Sequence, residues 1–503
     1  MTGLLLGLAL AAAAPPAGDA DTNAWWATTA ALSNDAMEGR DTGSPGYDRA
    51  ARMVAARLAR AGVKPAGENG GWFQTVPMAE IAVSAARIEL VPATGAAGSV
   101  RRTTLRFLHD VTVAPAEGMA TTLDVPILFR GYCDPASLGD VRGAAVLCWG
   151  THAPALPNEA DRVAAVKAAG AAAYLVVADP GFTVEPPRWP YAYARAVRFA
   201  GDAVTAEPMV RFTVNADSVA TLIAGSSQDA ATLAADAIAG RPLPDFAVPT
   251  RLQAQIALTR RSLRSDNVIG LLPGTDPAKA GQAIAVTAHL DGYGHGEPIA
   301  GDGLYNGTLD DAAYVALLVR LAERRGGKGF RRPILFTIVT GEEKGLLGSR
   351  WFVAHPTVPI AGIAADINLD QLRPIFPLDL LTVHGLDDST LGDDARAVAG
   401  RMGIAVQSDP EPQRNLLRRS DHWPFMQAGV PATAFVFGYR PGSASEGIYR
   451  RWYRTGYHKP QDDLSQPMDW KAAADFNRFF YDLVERVADQ DSAPSWKSGS
   501  RIR

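Results

Sequence analysis

"RPILFTIVTGEEKGLLGS" (residues 332–349) is a short apolar run that stops at a glycine and two adjacent glutamates. Bounded by Pro and Gly and apolar throughout, it reads as a strand buried on both faces. Two further runs share this texture, "AIAVTAHLD" (283–291) and "IAADINLD" (363–370). Helical patterns accompany them, "DDAAYVALLVRLAERRGG" (310–327) and "WKAAADFNRFFYDLVERVAD" (470–489). Buried strands alternating with helices predict an α/β fold, a mostly parallel mixed sheet sandwiched by helices. Each strand run ends in His or acidic residues: His289 and Asp291, Glu342 and Glu343, Asp370. Ligands of open α/β sheets bind outside the carboxyl ends of the strands, so the same positions that decide the fold also predict the site.

With 503 residues the chain exceeds one ordinary core, which predicts two or three domains. Apolar content of 47% and charged content of 20% are those of a soluble globular protein. A formal net charge of −4 makes no electrostatic case for a nucleic-acid or anionic-membrane partner. The start, "MTGLLLGLALAAAAPPAGDADT", has an apolar segment shorter than the ~20 residues of a spanning helix, followed by small residues and Pro-Pro. It reads as a secretory signal or, because a basic leading region is missing, as an uncleaved N-terminal anchor. A secreted or periplasmic protein is expected. The two cysteines, Cys133 and Cys148, can pair in an exported chain or stand as separate, half-buried thiols. So few cysteines leave His and carboxylates as the donors for any metal.

The expected division is a signal peptide or anchor (1–21), a first part of the main domain (22–115), an inserted smaller domain (116–244), the main catalytic part (245–490) and a flexible tail (491–503). In the first part, "SPGYDRAARMVAARLARAGVKPAG" has a Ser-Pro start, helical apolar spacing and a Gly exit. In the insert, the strands "GAAVLCWG" and "AAAYLVVADP" are joined by the helix "EADRVAAVKAAG", a βαβ pattern. The Pro-rich "GRPLPDFAVPT" (240–250) reads as a linker.

The polar residues gather in the main part. His289 and Asp291, two apart on an extended chain, face the same way, which suits an Asp accepting from one imidazole nitrogen while the other binds a metal. Alone, the pair also fits an ordinary turn contact. Asp310 and Asp311 open a helix, where Asp caps well; one can cap while the other faces the cleft. Glu342 and Glu343 leave a strand in different directions, so one can hold a metal while the other moves protons; each alone also suits the first turn of a helix. Asp370 ends another strand, and His458 lies in the loop "GYHKPQDD". Such His and carboxylate donors suit zinc, and they outnumber the needs of one tetrahedral ion, which favours a carboxylate-bridged pair.

In order, "AHLD", "GLYNGTLDDAA", "TGEEKGLLGS", "NLD", "SDHWPF" and "YHKPQDD" resemble the co-catalytic di-zinc exopeptidases of clan MH. That group includes leucyl aminopeptidases, glutamate carboxypeptidase, glutaminyl cyclases and transferrin receptors. The segment "NDAMEGRDTGSPGYDRAA" is similar to the family's N-terminal part, and residues 121 to about 235 resemble an inserted protease-associated domain. The resemblance implies two Zn2+ per chain. His289, Asp310 and Asp370 would hold one ion, and Asp310, Glu343 and His458 the other, with Asp310 bridging. It further implies Glu342 as general base, Asp291 as the residue orienting His289, and Tyr457 as a donor to the tetrahedral oxyanion. Ser420, Asp421 and His422 match a motif that shapes the substrate cleft. The chain departs from the pattern at Asp291-Gly292-Tyr293-Gly294 and at Ala313-Tyr314, both near the cleft.

An aminopeptidase acting on peptide substrates is the leading expectation. A carboxypeptidase or dipeptidase on the same scaffold would need a cation for a free carboxylate, for which Arg414, Arg418 and Arg419 are available unless they are solvated surface charge. A catalytically silent, receptor-like binding protein should have lost ligands, and this chain retains them. The sequence carries no reading of the oligomeric state.

Overall fold

The computed structural model describes residues 19–93, 101–151, 155–178, 189–500 and 502. The expected signal or anchor therefore lies almost wholly outside the described residues. The strand runs fold where their texture predicts: Ala283–His289, Ile334–Val339 and Ile363–Asn368. With Ala432–Phe437 they form the parallel centre of a mixed sheet, in the order 432–437, 363–368, 283–289, 334–339. Every residue of Ala283–His289 and Ile334–Val339 is buried, as a sheet covered on both faces requires.

The helices Pro45–Arg60, Ala313–Arg325 and Trp470–Asp489 cover this sheet. Ser44 caps the first of these by accepting from Tyr47 N, with Pro45 at the opening position. Tyr47, Val54 and Leu58 of that helix share one core with Leu317 and Leu318 of the second and Phe476, Phe479 and Phe480 of the third. A preceding helix, Ala20–Ser33, is tied in by Trp25, whose indole donates to the Ala313 carbonyl at 2.8 Å.

The second half of the Pro-rich segment expected to be a linker is instead the start of a 28-residue strand, Asp245–Leu272. At one end this strand pairs with Ile334–Val339 of the central sheet. At the other it pairs with Thr122–Arg130. Along its length it pairs antiparallel with Phe73–Pro92. Pro249 is tolerated because the register shifts between Ala247 and Arg251, leaving a break in the ladder where the missing N–H costs nothing. The strand thereby fuses the central sheet to the second one, and the 16-stranded sheet is continuous.

Beyond the ribbon lies a separate core built on Ile127, Phe129, Leu147, Leu175, Phe212 and Leu252. Here Ala145–Trp149, the helix Glu159–Ala168 and the parallel strand Ala173–Val177 form the βαβ unit. Cys133 and Cys148 form a disulfide, so the separate-thiol alternative falls. The expected flexible tail is also corrected. Trp496 donates its indole N–H to the Gly429 carbonyl at 2.8 Å, and Lys497 Nζ lies 2.7 Å from Asp393 Oδ1. An aromatic ring with a backbone acceptor and an apolar seat is sufficient to pin a terminus.

Candidate metal centre

Five predicted donors converge at the carboxyl ends of the parallel strands. His289 ends its strand with Nε2 lying 3.3 Å from Asp310 Oδ1 and 3.7 Å from Asp370 Oδ1. His458 Nε2 lies 3.4 Å from Asp310 Oδ2 and 3.7 Å from Glu343 Oε2. Asp310 thus turns one oxygen to each histidine. Donor atoms of His289, Asp310 and Asp370 fall within 4.8 Å of one another, as do those of Asp310, Glu343 and His458. Asp310 Oδ2, Glu343 Oε1 and Asp370 Oδ1 are buried without a hydrogen-bond partner. Clustered buried acceptors that lack donors are costly unless a cation satisfies them, so this donor set fits divalent metal.

Local structure explains how each donor arrives. The helix after Asp310 and Asp311 begins only at Ala313, with Ala312 at its cap and no side-chain cap bond, so neither aspartate performs the expected capping. Asp311 instead accepts from the backbone N–H groups of His289 and Gln371, both at 3.3 Å, which ties two strand ends together. Glu342 and Glu343 occupy a tight turn, Glu342–Lys344, ahead of the helix Leu347–Ala354. Asn267 clamps this turn from behind, accepting from Thr340 N at 3.0 Å and donating to the Gly348 carbonyl at 2.9 Å.

The orienting partner of His289 differs from the expectation. Its Nδ1 donates to the backbone carbonyl of Asp291 at 3.0 Å, while the Asp291 carboxylate stands 4.0 Å away. The chain leaves its strand at His289, so the two side chains no longer share one extended face. The carboxylate accepts instead from Glu342 N at 3.1 Å and from Thr42 Oγ1 at 2.9 Å. Asp291 therefore fixes the backbone of the candidate base as well as, through its carbonyl, the tautomer of His289.

Several supporting residues escaped the sequence reading. Fully buried Arg40 donates to the carbonyls of Leu290, Leu32, Asn306 and Gly307 at 2.7–2.9 Å. Burial pushes its guanidinium down to about 10, against the pull of Asp462, Asp311, Asp291 and Asp310. Asp462 accepts from Asp310 N at 3.0 Å and Leu309 N at 2.9 Å, and burial pushes its carboxyl up to about 7. Tyr193, from the second core's side of the molecule, reaches His458 Nδ1 with its hydroxyl at 2.7 Å. Tyr293, at one of the departures from the family pattern, contacts Glu343 Oε2 and lies 3.1 Å from His458 Nε2. Arg40, inside "NDAMEGRDTGSPGYDRAA", Tyr293, inside Asp291-Gly292-Tyr293-Gly294, and Asp462, inside "YHKPQDD", stood in stretches that the sequence singled out; Tyr193 did not.

Burial raises the carboxyls of Glu342 and Glu343, the latter further because Asp310 repels it. Burial also works to raise Asp310, but His289 and His458 outweigh it and hold the carboxyl below its usual range. A cleft of about 670 Å³ opens onto this cluster. Ser420, His422 and Tyr457 line it; Asp421 does not. Asp421 turns away to accept from Ser349 Oγ, and burial pushes it up to about 7. His422, 3.4 Å from Asn368 Nδ2 through Nδ1, is pushed down to about 3 by burial, which makes it a neutral cleft wall. Tyr457 stacks on His458 with ring centroids 3.5 Å apart, and its hydroxyl accepts from Gln371 Nε2 at 3.2 Å.

The fold is shared with an aminopeptidase from Aneurinibacillus sp. strain AM-1, at TM-score 0.61 and 18% identity over 94% of this chain and 95% of that one. It is shared also with the zinc aminopeptidase BSAP from Bacillus subtilis, at TM-score 0.57 and 16% identity over 94% of this chain and 96% of that one. Fold and donor cluster together define the class, an α/β fold shared with these aminopeptidases that carries a cluster of His and carboxylate donors at its strand ends. Residues 267–484 match the model of peptidase family M28. Among curated proteins, a "probable zinc metalloprotease" of Pyrenophora teres f. teres is 32% identical over 149 residues, 28% of this chain and 32% of that protein. "Leupeptin-inactivating enzyme 1" of Streptomyces exfoliatus is 27% identical over 173 residues, 34% of this chain and 36% of that protein. The matches span about a third of the length of these curated relatives.

Proposed function

We propose that this protein is a zinc-dependent exopeptidase, an aminopeptidase that hydrolyses N-terminal peptide bonds. The observation that carries this reading is the Asp310 carboxylate, with one oxygen 3.3 Å from His289 and the other 3.4 Å from His458. Two zinc ions would be held here, one by His289, Asp310 and Asp370, the other by Asp310, Glu343 and His458. Zinc bound there supplies Lewis acidity, which polarises a carbonyl and makes water acidic near neutral pH. Glu342, beside the cluster and not needed as a ligand, takes the proton of the attacking water and returns it to the leaving amine. Tyr457 donates to the carbonyl oxygen as negative charge develops on it.

The second core, with its own βαβ unit, supports reading the insert as a protease-associated domain. The apolar N-terminal segment supports export to the periplasm or outside the cell. Among the described residues no helix is long and apolar enough to cross a membrane.

The test is hydrolysis of an aminoacyl-anilide by the zinc-loaded chain, before and after chelation. Glu342→Gln is expected to lower kcat by about 10²–10⁴-fold while metal analysis finds the zinc content unchanged. Normal rates in that variant would remove Glu342 from the base role, and activity that survives complete chelation would remove zinc.

A further inference from the structure

The carboxylates lining the cleft, Asp310, Glu342, Glu343 and Asp370, all belong to the candidate metal cluster; of the cations, Arg195 and Lys344 lie beside that cluster and pair with Asp41, whereas Arg373, Arg414, Arg418 and Arg419 line the cleft elsewhere. Arg373 is the telling member. It is 1% exposed, its Nη1 has no hydrogen-bond partner, its Nε donates to the Gln371 carbonyl at 3.2 Å, and its guanidinium also donates to the neutral hydroxyl of Tyr453. No ion pair among the described residues includes it. The rings of Tyr449 and Tyr453 lie 4.8 Å from its guanidinium carbon and that of Trp452 lies 5.4 Å away, an aromatic cage that softens the cost of burying the charge but supplies no anion. Arg414, over the same Tyr453 ring at 4.7 Å, has Glu411 at 3.2 Å, and Arg450 shares that carboxylate. The buried pair therefore carries more positive charge than its protein partners neutralise.

We infer that this end of the cleft is a carboxylate-binding subsite, which directs the enzyme to peptides that place a carboxylate near the scissile bond. The inference rests on the peptidase reading above and gives it a substrate class. A guanidinium fork matches a carboxylate in two parallel hydrogen bonds, and fixing it against aromatic rings prepays the ordering of the side chain. The carboxylate has two sources in a peptide: an acidic N-terminal side chain, or the free C-terminus of a short substrate. Arg418 and Arg419, exposed at the rim, add to the field that draws such an anion in.

Both sources are separated by neutral isosteres. On the zinc-loaded full chain, kcat/KM is compared for Glu- against Gln-4-nitroanilide and for Ala-Ala against Ala-Ala-amide. A preference of at least tenfold for the charged member is expected in one pair, and which pair shows it identifies the source. Arg414→Gln is expected to reduce that preference at least tenfold, and the rim substitution Arg418→Ala by a smaller factor that shrinks with added salt. Equal rates within both pairs overturn the subsite. Should no peptide be hydrolysed, the peptidase reading fails, and calorimetry still decides the subsite. Glutamate binding tenfold tighter than glutamine, or alanine tighter than alaninamide, with the difference lost in Arg414→Gln, upholds it; equal affinities overturn it.

Discussion

The hydroxyl of Tyr193 sits 2.7 Å from His458 Nδ1, across a sequence separation of 265. A histidine that binds metal through Nε2 has its tautomer and ring angle set by the partner of Nδ1. For His289 that partner is a backbone carbonyl, which no substitution can remove; for His458 it is a side chain that one substitution deletes. Tyr193→Phe keeps the ring contact with Tyr293, whose centroid is 5.4 Å away, and removes only the oxygen. Zinc affinity, measured by competition with a chelating dye, is expected to fall about 10–100-fold. An unchanged affinity would show that the hydroxyl merely fills space. Asp291 teaches the same lesson at this scale: its residue type announced a polar partner for His289, but backbone carbonyl and carboxylate exchange roles once the chain turns after the strand.

At the level of elements, the turn carrying Glu342 and Glu343 depends on how closely a helix approaches a strand end. The Gly348 N–H donates to the Thr340 carbonyl at 2.8 Å, and Asn267 bonds both Thr340 and Gly348. A Cβ at Gly348 would collide with the Thr340 carbonyl oxygen and Asn267 Oδ1. Gly348→Ala should therefore push the helix Leu347–Ala354 off the strand and move both glutamates with it. A destabilisation of about 1–3 kcal/mol is expected in urea unfolding, together with a loss of activity larger than that stability change explains. A variant as active as the parent would mean that the turn holds its shape without this contact. The glycine was legible as a turn signal in "GEEKGLLGS"; the surface it must touch was not, because Asn267 belongs to a strand that the sequence reading had not drawn.

That strand dominates the whole molecule. Alternation in "TRLQAQIAL" (250–258) was visible in the sequence, and the structure buries Leu252, Ala254 and Ile256 while the residues between face outward or half-outward. Three prolines just before it masked the pattern as a linker. Two hydrophobic cores therefore hang on one continuous ribbon, and the second core's side contributes Tyr193 to the candidate metal centre of the first. The disulfide lies in a small cluster of that second region with Val146, Val166 and Tyr174. Cys133 and Cys148 close a loop of sequence separation 15. Replacing both by Ser is expected to cost about 3 kcal/mol in unfolding free energy, read from urea melts of the full chain. Because the second core holds Tyr193, the same variant should bind zinc less tightly. Normal zinc affinity in a clearly destabilised variant would uncouple the two regions.

Taken by itself, the sequence determined what neighbours along the chain can decide. Apolar runs had to be buried strands, amphipathic runs had to cover them, and acids and histidines at run ends had to face the mouth of the sheet. All three depend on side-chain pattern over a few residues, which water enforces locally by excluding apolar surface. Tertiary structure alone decided which of those donors meet, which carbonyl holds His289, that Arg40 lies among four aspartates, and that Arg373 is caged without a counter-ion. These are contacts between segments tens to hundreds of positions apart, fixed by strand order and helix packing, and no local pattern encodes a distance that only the assembled sheet creates.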